Sequence, residues 1–589
     1  MSADTIEAVD ALDLFKTEIR ADDLSVRIDC IQHMDVIARA MGKNQALSTL
    51  VPLIAECVKG HFCSDDDELL LSFAKYLPEI VPFLPDGTGA SALVPILESL
   101  ASQDETVIRE SAVESLGRIA ATNASVCVSA CFPALMRLYK AEWFSSKISA
   151  SGLSPFVYPH VPEDSKAQIR SLFIACANDE TPMVKRAAAF NLYRMVSVVE
   201  KPFAISELLP VYHTLACDET QDSVRSSCVA ASISFCRILN ESEAELYVRD
   251  TVAALATDKS WRVRLAVVKV YAELCRCMGR ESTVSHLLEP LVALMKDQEP
   301  DVRKAAVVAF QSTASLLSAS LVVTHFVPLF PVIGKDPVQQ VRSALSECIS
   351  PLARTLGPEF TLAHILPLLM ESARDDHPTI RYNATNSIGS ICAELKDNEA
   401  VVSQLVTLLH SQSQDANWRT RLAVLQQVPG LCRLFGKELY ESKLESLFLS
   451  FFGDSVHAVR DAISTEIGAL VAQIGEEWTK SHFVPKILTL YSESNSYSSR
   501  VAILQTIPQL ASVLSDPEDV KRLLLPTLVQ GCKDSVPNVR FIACSVTERL
   551  CSNPAIGKAI KEAVQPSVSP LVNDQDLDVR FYANRVSHI

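Results

Sequence analysis

Aspartate and arginine recur together in this chain at a spacing that suits the pairing of opposite charges. In the strongest copies an Asp is followed by four residues of variable type and then by an apolar residue and an Arg, as in Asp258, Val263 and Arg264. A carboxylate in a turn can accept N–H bonds from the start of the following helix. A guanidinium on the first turn of that helix can bind a carboxylate of the same or the neighbouring unit. The pattern therefore predicts a ladder of structural ion pairs and not a catalytic group. The strong copies begin at Asp258, Asp297, Asp336, Asp375, Asp415, Asp454, Asp534 and Asp574.

These copies return every 39 or 40 residues. A fixed period of this length is typical of repeat arrays, in which each unit packs on the next and builds a continuous core. Weaker copies complete the series, and residues 65–70 fit the double interval between Arg27 and Arg109. The sequence thus predicts 15 units in a single array over residues 1–589. The weaker copies are recognised by their basic residues, which are Arg27, Arg109, Lys147, Lys185, Arg225 and Arg500.

Each unit is predicted to contain two helices. An apolar residue lies seven positions after the basic residue and gives the second helix a side facing the core. Two positions after the basic residue there is often an Ala, which permits close helix packing. A Pro seven to nine residues before the Asp predicts a kink in the first helix. We therefore expect an all-α solenoid. The apolar residues are Met34, Leu116, Leu192, Tyr271, Phe310, Ile349, Ile388, Val428, Ile467 and Ile507, and the prolines are Pro95, Pro133, Pro210, Pro290, Pro367, Pro485 and Pro526.

Composition argues against several classes of protein. The chain has 54 Lys and Arg against 70 Asp and Glu, a net charge of −16, whereas a general nucleic-acid binder needs clustered positive charge. The run from Ala305 to Gly334 contains no charged residue, but it is in phase with the repeats and contains prolines and hydroxyl side chains. We expect a buried helix, a turn and the next helix there, and no membrane insertion.

Residue usage at the start of the chain and among the cysteines favours an intracellular protein. The segment Met1–Glu7 carries acidic residues where a secretory signal carries basic residues followed by an apolar run. The 17 cysteines are scattered through apolar stretches, as buried thiols are in a reducing compartment. We expect a cytoplasmic location and leave the nucleus open as a second one.

Motifs for catalysis and for metal binding are missing from the sequence. It contains no His-Glu-x-x-His, Gly-x-Ser-x-Gly or Cys-x-x-Cys motif and no Walker loop. Cys57, His61 and Cys63 are of the types that bind zinc, but no fourth ligand lies nearby. We expect no enzymatic activity, no cofactor and no metal.

The repeats resemble HEAT repeats, and several turns resemble those of the scaffold (A) subunit of the type 2A serine/threonine protein phosphatase. The resemblance extends over the whole chain with the same number of units. It implies a right-handed horseshoe whose turns within the repeats form a ridge. It also implies that regulatory subunits bind the N-terminal repeats, residues 1–320, and that the catalytic subunit binds the C-terminal repeats, residues 400–589. The turns that carry the resemblance are Asp258–Arg264, Asp415–Arg421, Trp143–Lys147 and Thr181–Arg186, with the less distinctive Lys43–Ser48.

The resemblance also implies two sets of contact residues, by position in the family's turns. For the catalytic subunit they are Trp418, Arg419, Val456, His457, Tyr497 and Val536. For the regulatory subunits they are Glu105, Trp143, Phe144, Glu180, Thr181, Pro182, Met183, Trp261 and Arg262.

Trp261 and Trp418 each follow a turn Asp by three residues and precede an Arg. Such a Trp can pack into the core against the next turn. It can also anchor a protein interface, where its truncation costs about 2 kcal/mol or more. The resemblance favours the interface, especially for Trp418.

Some positions differ from the family pattern. His457 stands where a Tyr is expected, Lys185 where an Arg is expected and Thr420 where a Val is expected. The acidic residue expected before the segment Tyr497–Arg500 is displaced, and the uncharged run Ala305–Gly334 lacks charges that the family carries. These differences leave the fold intact and bear on the choice of partner.

Two other functions are weighed against a phosphatase scaffold. A nuclear-import receptor would share the acidity and the repeat length, but such receptors are usually longer and the Trp-containing turns are not expected in them. An enzyme on a HEAT scaffold, such as deoxyhypusine hydroxylase, needs paired His-Glu motifs for its di-iron site. None of the 12 histidines here is followed by Glu.

Overall fold

The computed structural model describes residues 8–60, 66–86, 89–553 and 557–588. Helices account for 84% of the chain, and no strand occurs in these ranges. The chain divides into two compact units, Met1–Leu316 and Leu317–Ile589. Helix pairs number eight in the first unit and seven in the second over the described ranges, which gives the expected 15. The prediction of an all-α solenoid is confirmed.

The second helix of each repeat faces the core with the side that the sequence predicts. All ten of the predicted apolar side chains are at most 1% exposed. In the first unit these helices are Leu24–Gln32 with Met34–Met41, Asp67–Tyr76, Thr106–Thr122, Phe144–Val157, Pro182–Val198, Asp222–Ile238, Trp261–Ser282 and Pro300–Thr313. In the second unit they are Gln339–Glu347 with Ile349–Leu356, Pro378–Glu394, Trp418–Phe435, His457–Ile474, Tyr497–Val513, Pro537–Cys551 and Leu577–His588.

The first helices are shorter and are mostly broken into segments. In the first unit the α-helical segments are Ala8–Glu18, Lys43–Gln45, Val51–Lys59, Gly89–Leu100, Ala124–Val126, Phe132–Lys140, Glu163–Ala177, Lys201–Phe203, Leu209–Ala216, Glu241–Tyr247, Arg249–Ala256 and Leu288–Leu294. In the second unit they are Ala319–His325, Phe330–Ile333, Pro358–Phe360, Leu366–Ser372, Glu399–Gln412, Lys437–Leu439, Glu445–Ser450, Glu476–Trp478, Val484–Glu493, Pro517–Leu523, Leu525–Cys532 and Gly557–Val568.

Most of the predicted kinks take the form of π-helical turns, whereas Pro95 lies within the unbroken helix Gly89–Leu100 and Pro526 opens the helix Leu525–Cys532 without such a turn. The segment Cys127–Cys131 is such a turn, and Pro133 follows two residues later. Proline has no N–H and its ring collides with the carbonyl four residues earlier, so a wider turn at that carbonyl relieves both defects. The same order occurs before Pro367 and Pro485. The other π turns are Ala46–Leu50, Ala204–Leu208, Thr283–Leu287 and Tyr440–Leu444.

The uncharged run from residue 305 to 334 is more broken than the sequence predicts. The helix Pro300–Thr313 ends in a 3₁₀ turn, Ala314–Leu316, and the next first helix is split into Ala319–His325, the 3₁₀ turn Val327–Leu329 and Phe330–Ile333. The prolines at 328 and 331 each open one of the later segments. Within the described ranges, no helix is both long enough and apolar enough to cross a membrane.

Thr420 occupies a buried position that Val or Ile fills in most repeats, and its side chain is 0% exposed. Its Oγ1 atom has no hydrogen-bond partner among the described residues. Because Val has nearly the same shape, Thr420→Val removes an unsatisfied hydroxyl without leaving a cavity. We expect the free energy of unfolding to rise by about 1 kcal/mol, measured by denaturant titration of circular dichroism.

Thr385 provides the matched control, because it is equally buried but its Oγ1 donates to Arg381 O at 2.8 Å. Thr385→Val loses that bond and should bring no gain in stability. Equal effects of the two substitutions would show that the Thr420 hydroxyl is not a source of instability.

Candidate protein-binding ridge

The turn Asp of each repeat makes two kinds of contact. Asp258 accepts an N–H bond from Ser260 on Oδ1 at 2.7 Å, immediately before the helix Trp261–Ser282. Its two carboxylate oxygens also accept from Nε and Nη2 of Arg225 in the preceding repeat, at 2.6 and 2.9 Å. A planar guanidinium and a carboxylate match each other in this way through two parallel bonds. The predicted ladder of ion pairs is therefore present.

Each ladder Arg also binds its own turn. Arg264 Nη1 donates to the carbonyl of Asp258 at 2.7 Å, while Nε and Nη2 bind Asp297 in the next repeat at 2.6 and 2.7 Å. One side chain thus fixes two turns relative to each other. The pairs within the first unit are Lys147–Asp179, Lys185–Asp218, Arg225–Asp258 and Arg264–Asp297. Those within the second are Arg342–Asp375, Arg381–Asp415, Arg421–Asp454, Arg500–Asp534 and Arg540–Asp574.

Successive pairs place the turns of a unit side by side along one edge. We call the residue before each second helix, together with the first two residues of that helix, the turn ridge of its unit, as in Asn417, Trp418 and Arg419. Backbone N–H groups and the positive ends of the helix dipoles meet there. A ridge of this kind favours negatively charged groups on a partner.

Asp415 and Asp218 show how ladder contacts hold a carboxylate in the charged form. Burial alone would raise the pKa of Asp415, but hydrogen bonds from Arg381 and from the Asn417 N–H outweigh it and hold the pKa below its ordinary value. Asp218 follows the same balance: burial opposes ionisation, and hydrogen bonds from Thr220, Gln221 and Lys185 lower its pKa from 3.8 to about 2.

Lys185 stands in the ladder at a position where the family pattern has Arg. Its Nζ contacts Asp218 Oδ2 at 3.2 Å, a single bond in place of two. Lys147 pairs with Asp179 in the same way at 2.9 Å. The ladder thus continues through both lysines with weaker geometry.

A ladder carboxylate is missing in the first unit at Ala141, which stands six residues before Lys147. The Arg109 Nε atom of the preceding repeat is buried and has no partner among the described residues. Trp143 Nε1 instead donates to Asp104 Oδ1 at 2.9 Å, so an aromatic side chain joins these two turns.

A second ladder carboxylate is missing in the second unit, where Ser494 stands six residues before Arg500. Arg460 in the preceding repeat donates Nη1 to Asp454 O at 2.6 Å. Its Nε and Nη2 atoms have no hydrogen-bond acceptor among the described residues, unlike those of Arg421 and Arg500 on either side.

The contact residues implied by the resemblance all lie on or beside the turn ridges, with Glu180 one residue before its ridge. None of them belongs to the core. The exposed members are Glu105, Trp143, Glu180, Pro182, Met183, Arg262, Arg419, His457 and Tyr497. Half-buried are Phe144, Thr181, Trp261, Trp418, Val456 and Val536.

The turn tryptophans are partly exposed and are covered by cations. The guanidinium carbon of Arg262 lies 4.8 Å from the centre of the Trp261 ring, and that of Arg419 lies 4.5 Å from the Trp418 ring. Trp143, 56% exposed, lies 5.6 Å from the ring of Phe144. These aromatic and cationic pairs present the side-chain chemistry that is enriched at protein interfaces.

A groove in the first unit was not predicted from the sequence. It has a volume of about 690 Å³ and runs along the second helices Thr106–Thr122, Phe144–Val157 and Pro182–Val198. Met183 and Phe190 line it and are 51% and 53% exposed. Phe190 lies outside the core-facing side of its helix. The sequence could have indicated this exposed aromatic residue only once it was known which side of the helix faces the core.

Metal ligands are not grouped in the part of the chain that the structure describes, where no cluster of three or more His, Cys, Asp and Glu side chains could hold an ion. His61, Cys63 and the segment Met1–Glu7, all considered in the sequence analysis, lie outside the described residues. Of the 16 described cysteines, Cys217 is exposed, Cys277 and Cys551 are half-buried and the rest are buried.

Comparison with protein families gives three matching regions. Residues 280–357 match the model described as PPP2R1A-like HEAT repeat, and residues 365–395 match HEAT repeat. Residues 440–574 match PIK3R4-like, middle domain.

Curated relatives agree with the first of these matches. The regulatory A subunit of protein phosphatase PP2A from Saccharomyces cerevisiae is 32% identical, over 44% of this chain and 42% of that protein. The protein phosphatase 2A scaffold subunit of Dictyostelium discoideum is 36% identical, over 33% of each chain. The PP2A 65 kDa regulatory subunit of Drosophila melanogaster is 37% identical, over 32% of this chain and 31% of that protein. Over the aligned part, the chain is similar to the phosphatase 2A scaffold subunits. The aligned part covers less than half of these relatives.

Solved structures resemble the fold over nearly the whole chain. A structure of Kap95p with RanGDP has a TM-score of 0.57 at 16% identity and covers 99% of this chain and 76% of its own. A structure of importin beta has a TM-score of 0.55 at 12% identity and covers 98% and 77%. At these identities the likeness concerns the solenoid fold alone.

The lowered pKa values predict how stability depends on pH. A carboxylate with a lowered pKa in the folded state stabilises the protein above its unfolded pKa, and this contribution is lost as pH falls towards the folded pKa. For Asp218 that window lies between about pH 4 and pH 2. We expect Asp218→Asn to be less stable than the wild type at pH 7 and the difference to shrink through this window, as measured by denaturant midpoints. A difference that stays constant from pH 7 to pH 2 would rule out the ladder carboxylate as its source.

Proposed function

We propose that this chain is a non-catalytic scaffold that binds two subunits of a type 2A serine/threonine phosphatase, one catalytic and one regulatory, along its turn ridges. The carrying observation is the similarity to several phosphatase 2A scaffold subunits at 32–37% identity. The contact residues implied by the family resemblance are also exposed or half-buried on the ridges. A partner can therefore reach them without unfolding a repeat.

The proposed catalytic-subunit face is the turn ridge within residues 400–589. Trp418 and the half-buried Val456 and Val536 offer apolar surface. Arg419, His457 and Tyr497 surround them with polar groups and are exposed. An apolar centre bordered by polar groups is the usual composition of a specific protein interface. His457 replaces a family Tyr on this face, so it bears on affinity for the catalytic subunit.

The proposed regulatory-subunit face is the turn ridge within residues 1–320. Trp143, Val107 and Met183 are its most exposed large apolar side chains, and Glu105 and Glu180 add acidic groups. The groove beside Met183 extends the available surface onto the second helices. Different regulatory subunits can use different parts of this face.

The proposed mechanism is assembly. When one chain holds both subunits, their encounter becomes intramolecular, with an effective concentration of roughly the millimolar range. The catalytic subunit then supplies the chemistry and the regulatory subunit selects the substrate. This proposal includes no cofactor, no nucleic acid and no membrane insertion, and it places the protein in the cytoplasm with the nucleus left open.

An import receptor remains the alternative function. Its support is the likeness to Kap95p and importin beta, which at 12–16% identity extends only to the fold. The phosphatase relatives are 32–37% identical and so favour the phosphatase scaffold.

Substitutions on the C-terminal ridge test the catalytic-subunit face. Trp418→Ala removes an aromatic anchor and Val536→Asp places an unpaired charge in the contact, and each should cost about 2 kcal/mol, or roughly 30-fold in Kd. Helicity and Tm should stay nearly unchanged, because Trp418 is only half-buried and Asp is well tolerated at the N-cap that Val536 occupies. Binding can be measured by calorimetry with purified catalytic subunit.

Phe581→Ala is the matched control for this face. Phe581 is 55% exposed and has Arg585 near its ring at 5.5 Å, but it lies beyond the turn ridge. Its removal should leave the Kd unchanged. If Trp418→Ala lowers Tm and leaves the Kd unchanged, Trp418 is a core residue and its assignment is wrong.

Substitutions on the N-terminal ridge should have the opposite selectivity. Trp261→Ala removes a partly exposed aromatic ring, and Pro182→Arg adds a bulky charge at an exposed position. We expect both to weaken regulatory-subunit binding about tenfold or more and to leave the Kd for the catalytic subunit unchanged. Paired pull-downs with the two purified subunits measure this. Loss of catalytic-subunit binding in either variant would argue against two separate faces.

A further inference from the structure

The ladder in the second unit has one guanidinium whose usual partner is absent. In the neighbouring pairs, Nε and Nη2 of Arg421 bind Asp454 at 2.7 and 2.8 Å, and those of Arg500 bind Asp534 at 2.8 and 3.1 Å. Arg460 occupies the same position in the repeat between them. Its Nε and Nη2 atoms meet no acceptor in the described part of the chain.

Arg460 lacks its partner because Ser494 stands where the neighbouring repeats have the ladder Asp. The turn keeps its ladder geometry, because Arg500 Nη1 still donates to Ser494 O at 3.0 Å, as Arg540 Nη1 donates to Asp534 O at 2.9 Å. Only the carboxylate is replaced, and the Ser494 hydroxyl donates to Ser496 O at 3.2 Å. The Arg–Asp pairs of the other repeats therefore show where an anion would bind Arg460.

Arg109 and Arg460, which both lack a ladder carboxylate, differ in accessibility. Arg109, opposite Ala141, is 7% exposed with its Nε sealed off. Arg460 is half-buried and its side chain reaches partly into solvent. An external group can therefore reach Arg460 and not Arg109 Nε.

The surroundings of Arg460 point to a bound protein as the source of the anion. Val456 and His457 lie one turn before Arg460, at the start of the same helix, and Tyr497 opens the helix of the next repeat. All three belong to the proposed catalytic-subunit face. The N-terminal ends of both helices also add positive potential from their dipoles.

We propose that Arg460, left open by Ser494, is the docking point for a carboxylate side chain of the bound catalytic subunit. This inference rests on the proposed function and names the chemistry of one contact within it. The partner's carboxylate takes the position that Asp occupies in the adjacent pairs and binds Nε and Nη2 through two bonds. The interface thereby completes the ladder that the free chain leaves open.

This arrangement makes Ser494→Asp informative, because its effects on folding and on binding have opposite signs. An Asp at position 494 restores the internal pair and should raise the denaturant midpoint of the chain. The same Asp binds Nε and Nη2 of Arg460 within the chain, where its effective concentration is high, and so competes with the partner's carboxylate. We expect the Kd for the catalytic subunit to rise about tenfold.

The experiment measures the Kd of the full chain for purified type 2A catalytic subunit by calorimetry, together with denaturant unfolding. Asn495→Asp is the matched control, since it adds the same charge at the neighbouring exposed residue, outside the ladder position. It should change the Kd by less than about twofold. Arg460→Gln should weaken binding about as much as Ser494→Asp, and the double variant should bind no more weakly than either single variant.

Arg460→Lys keeps the charge but loses the two-bond geometry, so it should bind more weakly than the wild type. The inference is overturned if Ser494→Asp raises stability but leaves the Kd unchanged, or if Asn495→Asp weakens binding equally. If the wild-type chain itself does not bind the catalytic subunit, the proposed function fails and this inference fails with it.

Discussion

The structure depends on a carboxylate that is bound from two sides. Most ladder Asp residues accept an N–H bond at the start of their own second helix and two bonds from the Arg of the preceding repeat, as Asp415 does with Asn417 and Arg381. Asp179 and Asp218 accept a single bond from a Lys in place of the two from Arg. The first contact fixes where a helix begins, and the second fixes where the next repeat lies. Local capping and long-range stacking thus share one side chain, so loss of the charge affects both. The lowered pKa of Asp415 reflects the same pairing.

This use of the Asp explains why the neighbouring residues can serve for binding. The apolar residue before each Arg is committed to the core, and the Asp and Arg are committed to each other. The side chains of Trp418 and Arg419, which lie between Asp415 and Arg421, take no part in the ladder pairs and lie at the accessible helix start. They can differ from repeat to repeat without loss of the fold. A scaffold built in this way can vary its partner contacts along one edge while its core stays regular.

The sequence predicted the features that depend on local periodicity. The ion pairs and the buried positions such as Phe310 and Ile349 follow from a repeat of 39 or 40 residues. The contact residues were implied only by the family resemblance, and they stay a prediction. The π-helical turns were not predicted in detail, because the sequence shows a Pro but not how the backbone before it adapts. The split first helix at residues 319–333 was missed for the same reason. In the sequence, the acidic residue expected before Tyr497–Arg500 is displaced. That Arg460 thereby lacks its carboxylate partner could be recognised only from the geometry of the neighbouring pairs.

The central proposal is that one chain holds two phosphatase subunits together on separate ridge faces. Sedimentation velocity of the purified chain with purified catalytic and regulatory subunits tests it most directly. The account predicts a single complex that contains one copy of each of the three proteins and that forms without displacement of either partner. Two binary complexes that exclude each other, or no complex with the catalytic subunit, would contradict it.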